Sequence, residues 1–212
     1  MYTKAVMVKK TEQQQPTKLA KWLPWLLVIG SSIAIICAAV ITYEKMQLAV
    51  DPNHTQICDI NPIISCGSVM QSEQATAFWD IPNPFLGMIG FPIVATLGVV
   101  LLAGVALRRW LWQGLQAGLL FAVGFCHWLF CQAVYEINAL CIWCMIVWAV
   151  TIAMFWYTLL QNLRTGAVPT PKGWEKFVAF LQRHHLDILV AWYLIIIALI
   201  LHHFWYFFGT LI

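Results

Sequence analysis

The sequence predicts an all-α integral membrane protein, and three observations carry that expectation. Of the 212 residues, 61% are apolar and 10% charged, where soluble domains have roughly 45–50% and 25%. Five apolar runs approach the roughly 20 residues that cross a bilayer. The basic residues gather at alternate connections between those runs. Such a composition excludes a soluble globular domain, a disordered chain, a nucleic-acid binder and a secreted disulfide knot. Lipid is the expected surrounding and one membrane domain the expected count.

Residues 1–22 hold Gln13 to Gln15 and scattered lysines without apolar periodicity, and read as a tail. Leu23–Thr42 is the first span. It is too long for the apolar stretch of a signal peptide, and Cys37 follows the bulky Ile36 where a lipoprotein signal needs a small residue, so an uncleaved anchor is expected. The segment 43–83 is the one long loop. Phe85–Leu107, Leu115–Tyr135 and Cys141–Leu160 follow as spans two to four. The connection 162–186 carries Pro169, Pro171 and Gly173, then a short interfacial helix around Trp174–Leu181 with Trp174 and Phe177 as anchors. Ile188–Phe208 is the fifth span, within a last segment 187–212.

Orientation follows from lysine and arginine, which favour the cytoplasmic side. Lys4, Lys9, Lys10, Lys18 and Lys21 precede span one, Arg108 and Arg109 follow span two, and Arg164, Lys172, Lys176 and Arg183 follow span four. Eleven of the twelve basic residues thus fall on one side, leaving Lys45 on the other with Glu44, Asp51, Asp59, Glu73, Asp80 and Glu136. The amino terminus is expected in the cytoplasm and the carboxyl terminus outside. The net charge of +3 is then a topology signal, and nothing in it tracks phosphates.

The exterior loop contains Cys58-Asp-Ile-Asn-Pro-Ile-Ile-Ser-Cys66. A straight helix would hold these cysteines ~12 Å apart, beyond the ~7 Å limit of a disulfide, but Pro62 breaks it and a bent loop brings them together. This pair alone reads equally as a structural staple. Cys141-Ile-Trp-Cys144 opens span four on the same side, with a rise of ~4.5 Å that a disulfide accepts. Asn138 is the expected N-cap, which places Cys141 at N3, where free N–H groups and the macrodipole favour its thiolate. Packed free thiols are the bland alternative for this pair. Metal binding needs further ligands, and a c-type haem site needs His where Met145 stands. Two dithiol pairs on one face, one in a loop and one at a lipid-embedded helix tip, suggest an electron relay.

Cys58 and Cys66 with Asp59 and Ser65 between them, Ser72 six residues beyond Cys66, Asn83-Pro-Phe-Leu-Gly87 opening span two, and Cys141-x-x-Cys144 opening span four together resemble the vitamin K epoxide reductase family. The resemblance covers roughly Val28 to Leu160 and constrains the tail and fifth span less. It implies a four-helix bundle around a quinone, with 23–161 as the catalytic core, plus a fifth transmembrane helix. It implies a thiol:quinone oxidoreductase in which Cys58 takes the mixed disulfide with a thioredoxin-like protein, Cys66 exchanges with Cys141, and Cys144 faces the quinone. Asn83 would hydrogen-bond a quinone oxygen and Ser72 would support the loop or helix lid, which makes Asn83, Ser72 and Cys144 the cofactor-binding set. The dull readings are an N-cap for Ser72 and a turn residue before Pro84 for Asn83. No metal is required.

Bacterial members are often fused after the fifth helix to a thioredoxin-like domain. Here the sequence ends at Ile212, so the expected donor is a periplasmic thioredoxin-like thiol oxidase acting in trans, at a bacterial inner membrane. Such an oxidase has a potential near about −120 mV and needs an acceptor lying higher, which the membrane quinone pool supplies as ubiquinone or menaquinone. Animal members have a tyrosine four residues after the second CxxC cysteine, where this chain has Trp148. That difference favours disulfide formation over quinone or vitamin K epoxide recycling. A non-enzymatic anchor for a thioredoxin-like protein and a metal- or haem-handling protein are the alternatives from other classes.

Among the remaining residues, His127 in span three is a candidate for quinone or proton contact, against a packing role in which it bonds a neighbouring carbonyl. Cys37, Cys126 and Cys131 read as buried thiols. His202, His203, Trp205 and Tyr206 read as an interfacial belt. Met70, Phe85 and Trp143 are candidates for the pocket wall, and equally for lid, core or lipid contact.

Overall fold

The computed structural model describes residues 18–51, 54–77, 81–171 and 173–208. Lys4, Lys9, Lys10, Gln13 to Gln15, Asp80, Lys172 and the chain beyond 208 lie outside the described residues. The helices are α1 (Lys18–Val50), α2 (Cys66–Gln71), α3 (Asn83–Leu102), α4 (Arg109–Cys131), α5 (Ile142–Thr165), α6 (Glu175–Arg183), α7 (His185–His203) and α8 (Trp205–Phe208), with a 3-10 turn at Glu73–Thr76 and a π turn at Gln132–Ile137. Five of them, α1, α3, α4 with its π turn, α5 and α7, are long and apolar enough to cross a membrane. The chain is an all-α, multi-pass membrane protein.

Local chemistry moves several expected boundaries. Helix α1 runs to Val50, eight residues beyond the expected Thr42, so the loop starts later. Helix α3 opens with Pro84 in its first turn, where a missing N–H costs nothing. It stops at Leu102 rather than Leu107, since Gly104 turns the chain at φ +80°. Asn138 does not cap α5. It closes the preceding π turn in the left-handed region at φ 55°, a conformation asparagine tolerates, and its Oδ1 meets His203 Nε2 at 2.8 Å. Cys141, not Asn138, is the N-cap of α5. Helix α5 ends at Gly166, also left-handed at φ +68°, as C′ glycines do.

Helix α1 lies against α3 and α5, and α4 lies against α5. Helices in lipid associate by close packing, which favours small residues at their contacts. Gly87 of α3 faces Ala38, Gly98 of α3 faces Leu27 and Val28, and Gly30 of α1 faces Met154 of α5. A Cβ at Gly98 would stand 2.8 Å from Val28 Cγ2 and 3.1 Å from the Val28 backbone nitrogen. Gly98→Val therefore pries α1 from α3 and lowers stability by about 1–3 kcal/mol, read as earlier thermal unfolding in detergent. Gly114→Ala, which meets open space, leaves unfolding in place.

The end opposite the cysteine loop is tied by polar side chains. Buried Asn162 donates from Nδ2 to Gln116 Oε1 at 3.1 Å and to the Trp112 carbonyl at 3.3 Å. Arg109 Nε and Gln113 Nε2 both donate to the Ala167 carbonyl. Trp174 and Phe177 are exposed at the start of α6, as an interfacial anchor requires. Helix α7 is held from the side by Trp156 Nε1 donating to the His185 carbonyl, Tyr193 Oη donating to the Ala149 carbonyl, and fully buried Phe204.

His127 belongs to this attachment. Trp192 Nε1 donates to His127 Nε2 at 2.9 Å, and His127 Nδ1 lies 2.8 Å from the Val123 carbonyl. An indole N–H only donates and a carbonyl only accepts. His127 is therefore the neutral Nδ1–H tautomer with both nitrogens occupied, and it joins the third span to the fifth. Cys37 and Cys126 are buried thiols, whereas Cys131 is exposed on α4. An exposed thiol is the correction there: the helix face, not its apolar sequence, sets burial.

Candidate active site

The loop is folded by its own polar residues. Asn61 Oδ1 accepts the backbone N–H groups of Ile63 and Ile64 at 2.9 and 2.8 Å, which turns the chain around Pro62. The straightened Ile63–Ser65 then pairs with Leu140: Leu140 N–H donates to the Ile63 carbonyl at 2.7 Å and Ser65 N–H to the Leu140 carbonyl at 3.1 Å. This short parallel bridge fixes the register between loop and helix tip. Cys66 follows Ser65 and Cys141 follows Leu140, so the next residues on both strands are the cysteines. Their sulfurs lie 3.1 Å apart.

Helix α2 begins at Cys66, with Ser65 Oγ accepting the Ser68 N–H. Asp59 Oδ1 accepts the Gly67 N–H at 3.0 Å, and a Cβ at Gly67 would meet Asp59 Oδ2 at 2.8 Å. Glycine at 67 is what lets Asp59 close the loop. Cys58 and Cys66 form a disulfide with Cα atoms 5.6 Å apart, about half the straight-helix separation. Cys58, Cys66 and Cys141 are buried, at 4%, 0% and 1% exposure, and their sulfurs all lie within 4.8 Å of one another. A soft metal could use three such thiolates only after reduction, because two of the sulfurs are bonded to each other.

Cys141 is free. A hydrogen bond with the Cys144 thiol and N–H donors from Cys144 and Trp143, in the first turn of α5, hold its pKa below the ordinary thiol value. Burial and the nearby Asp59 carboxylate oppose this without reversing it. The Cys144 thiol is the largest influence and the first-turn N–H groups add to it, with Cys141 serving as cap rather than sitting at N3. Cys144, one turn on, is also free.

Both Cys141 and Cys144 line a cavity of about 590 Å³ between α1, α2, α3, α4 and α5. It exists because α3 and α4, though consecutive, barely touch. The wall is apolar apart from a few groups, including Lys45, Ser72 and Asn83. Met70 and Trp148 line it, whereas Phe85 and Trp143 do not. Ser72 Oγ donates to the Val69 carbonyl at 2.7 Å. Asn83 Oδ1 accepts the Ala77 N–H at 3.0 Å while its Nδ2 donates to the Gln74 carbonyl at 2.7 Å. Both side chains therefore pin the end of the loop beside the cavity.

The profile of the Vitamin K epoxide reductase family matches residues 25–159, more than half of the chain. The chain belongs to the vitamin K epoxide reductase family. No curated protein matches it in sequence. The family match ends before α6 and α7. It takes in all four cysteines of the site.

Family members are membrane thiol/quinone oxidoreductases, and the cavity suits a quinone by its chemistry. Its wall is apolar enough for a substituted ring and isoprenoid tail, it bears polar hydrogen-bonding side chains, and Cys141 and Cys144 line it. Sequence reasoning missed two features. Lys45 lines the cavity although it lies within the long first helix. Glu44, its neighbour, is 1% exposed and lies 3.4 Å from His54 Nε2, linking α1 to the loop. Adjacent opposite charges at the end of an apolar run were the available signal; the eventual partner of Glu44 was not.

Proposed function

We propose that this protein is a thiol:quinone oxidoreductase that reoxidises a periplasmic thioredoxin-like disulfide donor and passes the electrons through its two cysteine pairs to a respiratory quinone, ubiquinone or menaquinone. The observation that carries the reading is the 3.1 Å approach of Cys66 Sγ to the free Cys141 Sγ, with Cys58 bonded to Cys66. The catalytic residues are then Cys58, Cys66, Cys141 and Cys144.

The donor dithiol reduces Cys58–Cys66 and leaves as a disulfide. Cys66 thiolate attacks Cys141 of the inner disulfide, and Cys144 departs as thiolate. Cys58 thiolate attacks Cys66, re-forming the loop disulfide and releasing Cys141. Two electrons now sit on the inner pair. The arrangement described above, loop oxidised and inner pair reduced, corresponds to this loaded stage. A bound quinone would supply the two-electron, two-proton acceptor. Cys141 and Cys144 close their disulfide as they give up those electrons and their two protons, so the donor's protons balance the quinol's.

The basic residues support a cytoplasmic amino terminus and a periplasmic cysteine face at a bacterial inner membrane. The segment 23–161 is then the catalytic core, with the cytoplasmic tail 1–22, the connection 162–186 and the fifth-helix segment 187–212 outside it. Epoxide recycling is the less favoured reading, because Trp148 lines the cavity in place of the tyrosine hydroxyl of animal members. The test is anaerobic turnover of the purified protein in detergent with a reduced thioredoxin-like donor and a short-chain quinone. Quinone absorbance falls well above the uncatalysed rate if the reading holds. Failure with several donors and both quinone classes would transfer support to the anchor or metal-handling readings.

A further inference from the structure

We propose that Lys45 is a quinone-binding residue, its ammonium donating a hydrogen bond to a ring carbonyl oxygen. The inference rests on the thiol:quinone reading and adds a contact that the cysteine motifs do not contain.

Lys45 is the one charged side chain among the described residues lining the cavity. No described carboxylate lies within ion-pair distance of it. Glu44 is adjacent in sequence, but successive helical residues point about 100° apart, and Glu44 is turned away, buried and set against His54. Lys45 is half-buried and lines this largely apolar wall, and an ammonium so placed without a counter-ion lacks compensation for its desolvation. A lysine offers only donors, three of them, so the group that satisfies it must accept.

Three other polar side chains among the described residues line the wall, Ser72, Gln74 and Asn83, all of them neutral. The Ser72 hydroxyl proton goes to the Val69 carbonyl, and the Asn83 amide holds Ala77 and Gln74. The Ser72 hydroxyl then has no proton left for a ligand, whereas the Asn83 amide keeps one N–H. Two carbonyl oxygens on an otherwise apolar ring match what the wall provides: apolar surface and one unspent cation. A charge-assisted hydrogen bond of this kind is stronger than a neutral one and gives the ring a preferred orientation toward the Cys144 end.

The test is binding, measured by calorimetry on the full chain in phosphatidylcholine nanodiscs, with partition into protein-free nanodiscs subtracted. Two ligands are compared: decylubiquinone and decylbenzene, which keeps a ring and tail but has no carbonyl. Lys45→Met weakens decylubiquinone binding by about ten-fold or more and leaves decylbenzene binding unchanged, while Lys45→Arg restores the quinone affinity. Equal quinone affinity in wild type and Lys45→Met overturns the inference. So does an equal loss for both ligands, which would mark Lys45 as a packing residue. Should Lys45→Met fail to fold, Lys45→Gln is put through the same two-ligand comparison with the same criteria. Absence of quinone binding by the wild type would instead overturn the thiol:quinone reading itself, and this inference with it.

Discussion

Cys144→Ala reduces catalysed quinone reduction to the background rate, a loss of roughly a thousand-fold or more, as expected for one member of a group that acts as a unit. Cys141 keeps its place 3.1 Å from Cys66, so exchange with the loop continues. Without Cys144, however, Cys141 cannot close an inner disulfide, and the two electrons have no exit at the cavity. Three cysteines then share one disulfide, and a Cys66–Cys141 cross-link accumulates that a maleimide mass tag after acid quench detects. A second readout follows from the electrostatics. The Cys144 thiol is the largest influence holding the Cys141 pKa down. Its removal raises that pKa, so the pH midpoint for alkylation of Cys141 in the reduced protein moves upward. Full disulfide-forming activity in Cys144→Ala would favour the non-enzymatic anchor.

The helices were legible because each apolar run is long enough to bury its backbone hydrogen bonds in lipid, a constraint that few other structures satisfy. Their ends were less so. Local sequence makes Asn138 a cap for the helix that follows, but its left-handed backbone and the reach of His203 from the fifth span assign it to the turn that precedes. Proximity of the two cysteine pairs was suggested by their shared side of the membrane, not by any spacing. The bridge between Ile64 and Leu140 that sets their register joins residues 76 apart in the chain. Lys45 illustrates the same limit. As a count it marks the single basic residue off the positive side; only the separation of α3 from α4 reveals the cavity that it lines.

Cys58→Ser separates the entrance of the relay from its exit. Cys58 is 4% exposed, although its chain neighbours Ile57 and Ile60 are at 74% and 66%, so a protein thiol must meet it through movement of the loop. The serine variant loses turnover with a thioredoxin-like donor, since no mixed disulfide forms at 58 and no thiolate is left to release Cys66 from Cys141. Cys141 and Cys144 both border the cavity, and a small dithiol such as dithiothreitol reaches them without passing through the loop. Quinone reduction driven by dithiothreitol therefore survives in part while donor-driven reduction falls to background. The ratio of the two rates is the informative quantity, because misfolding would depress both together. Equal activity with both donors would place the entrance elsewhere, leaving Cys58–Cys66 as a staple that holds Cys66 against Cys141.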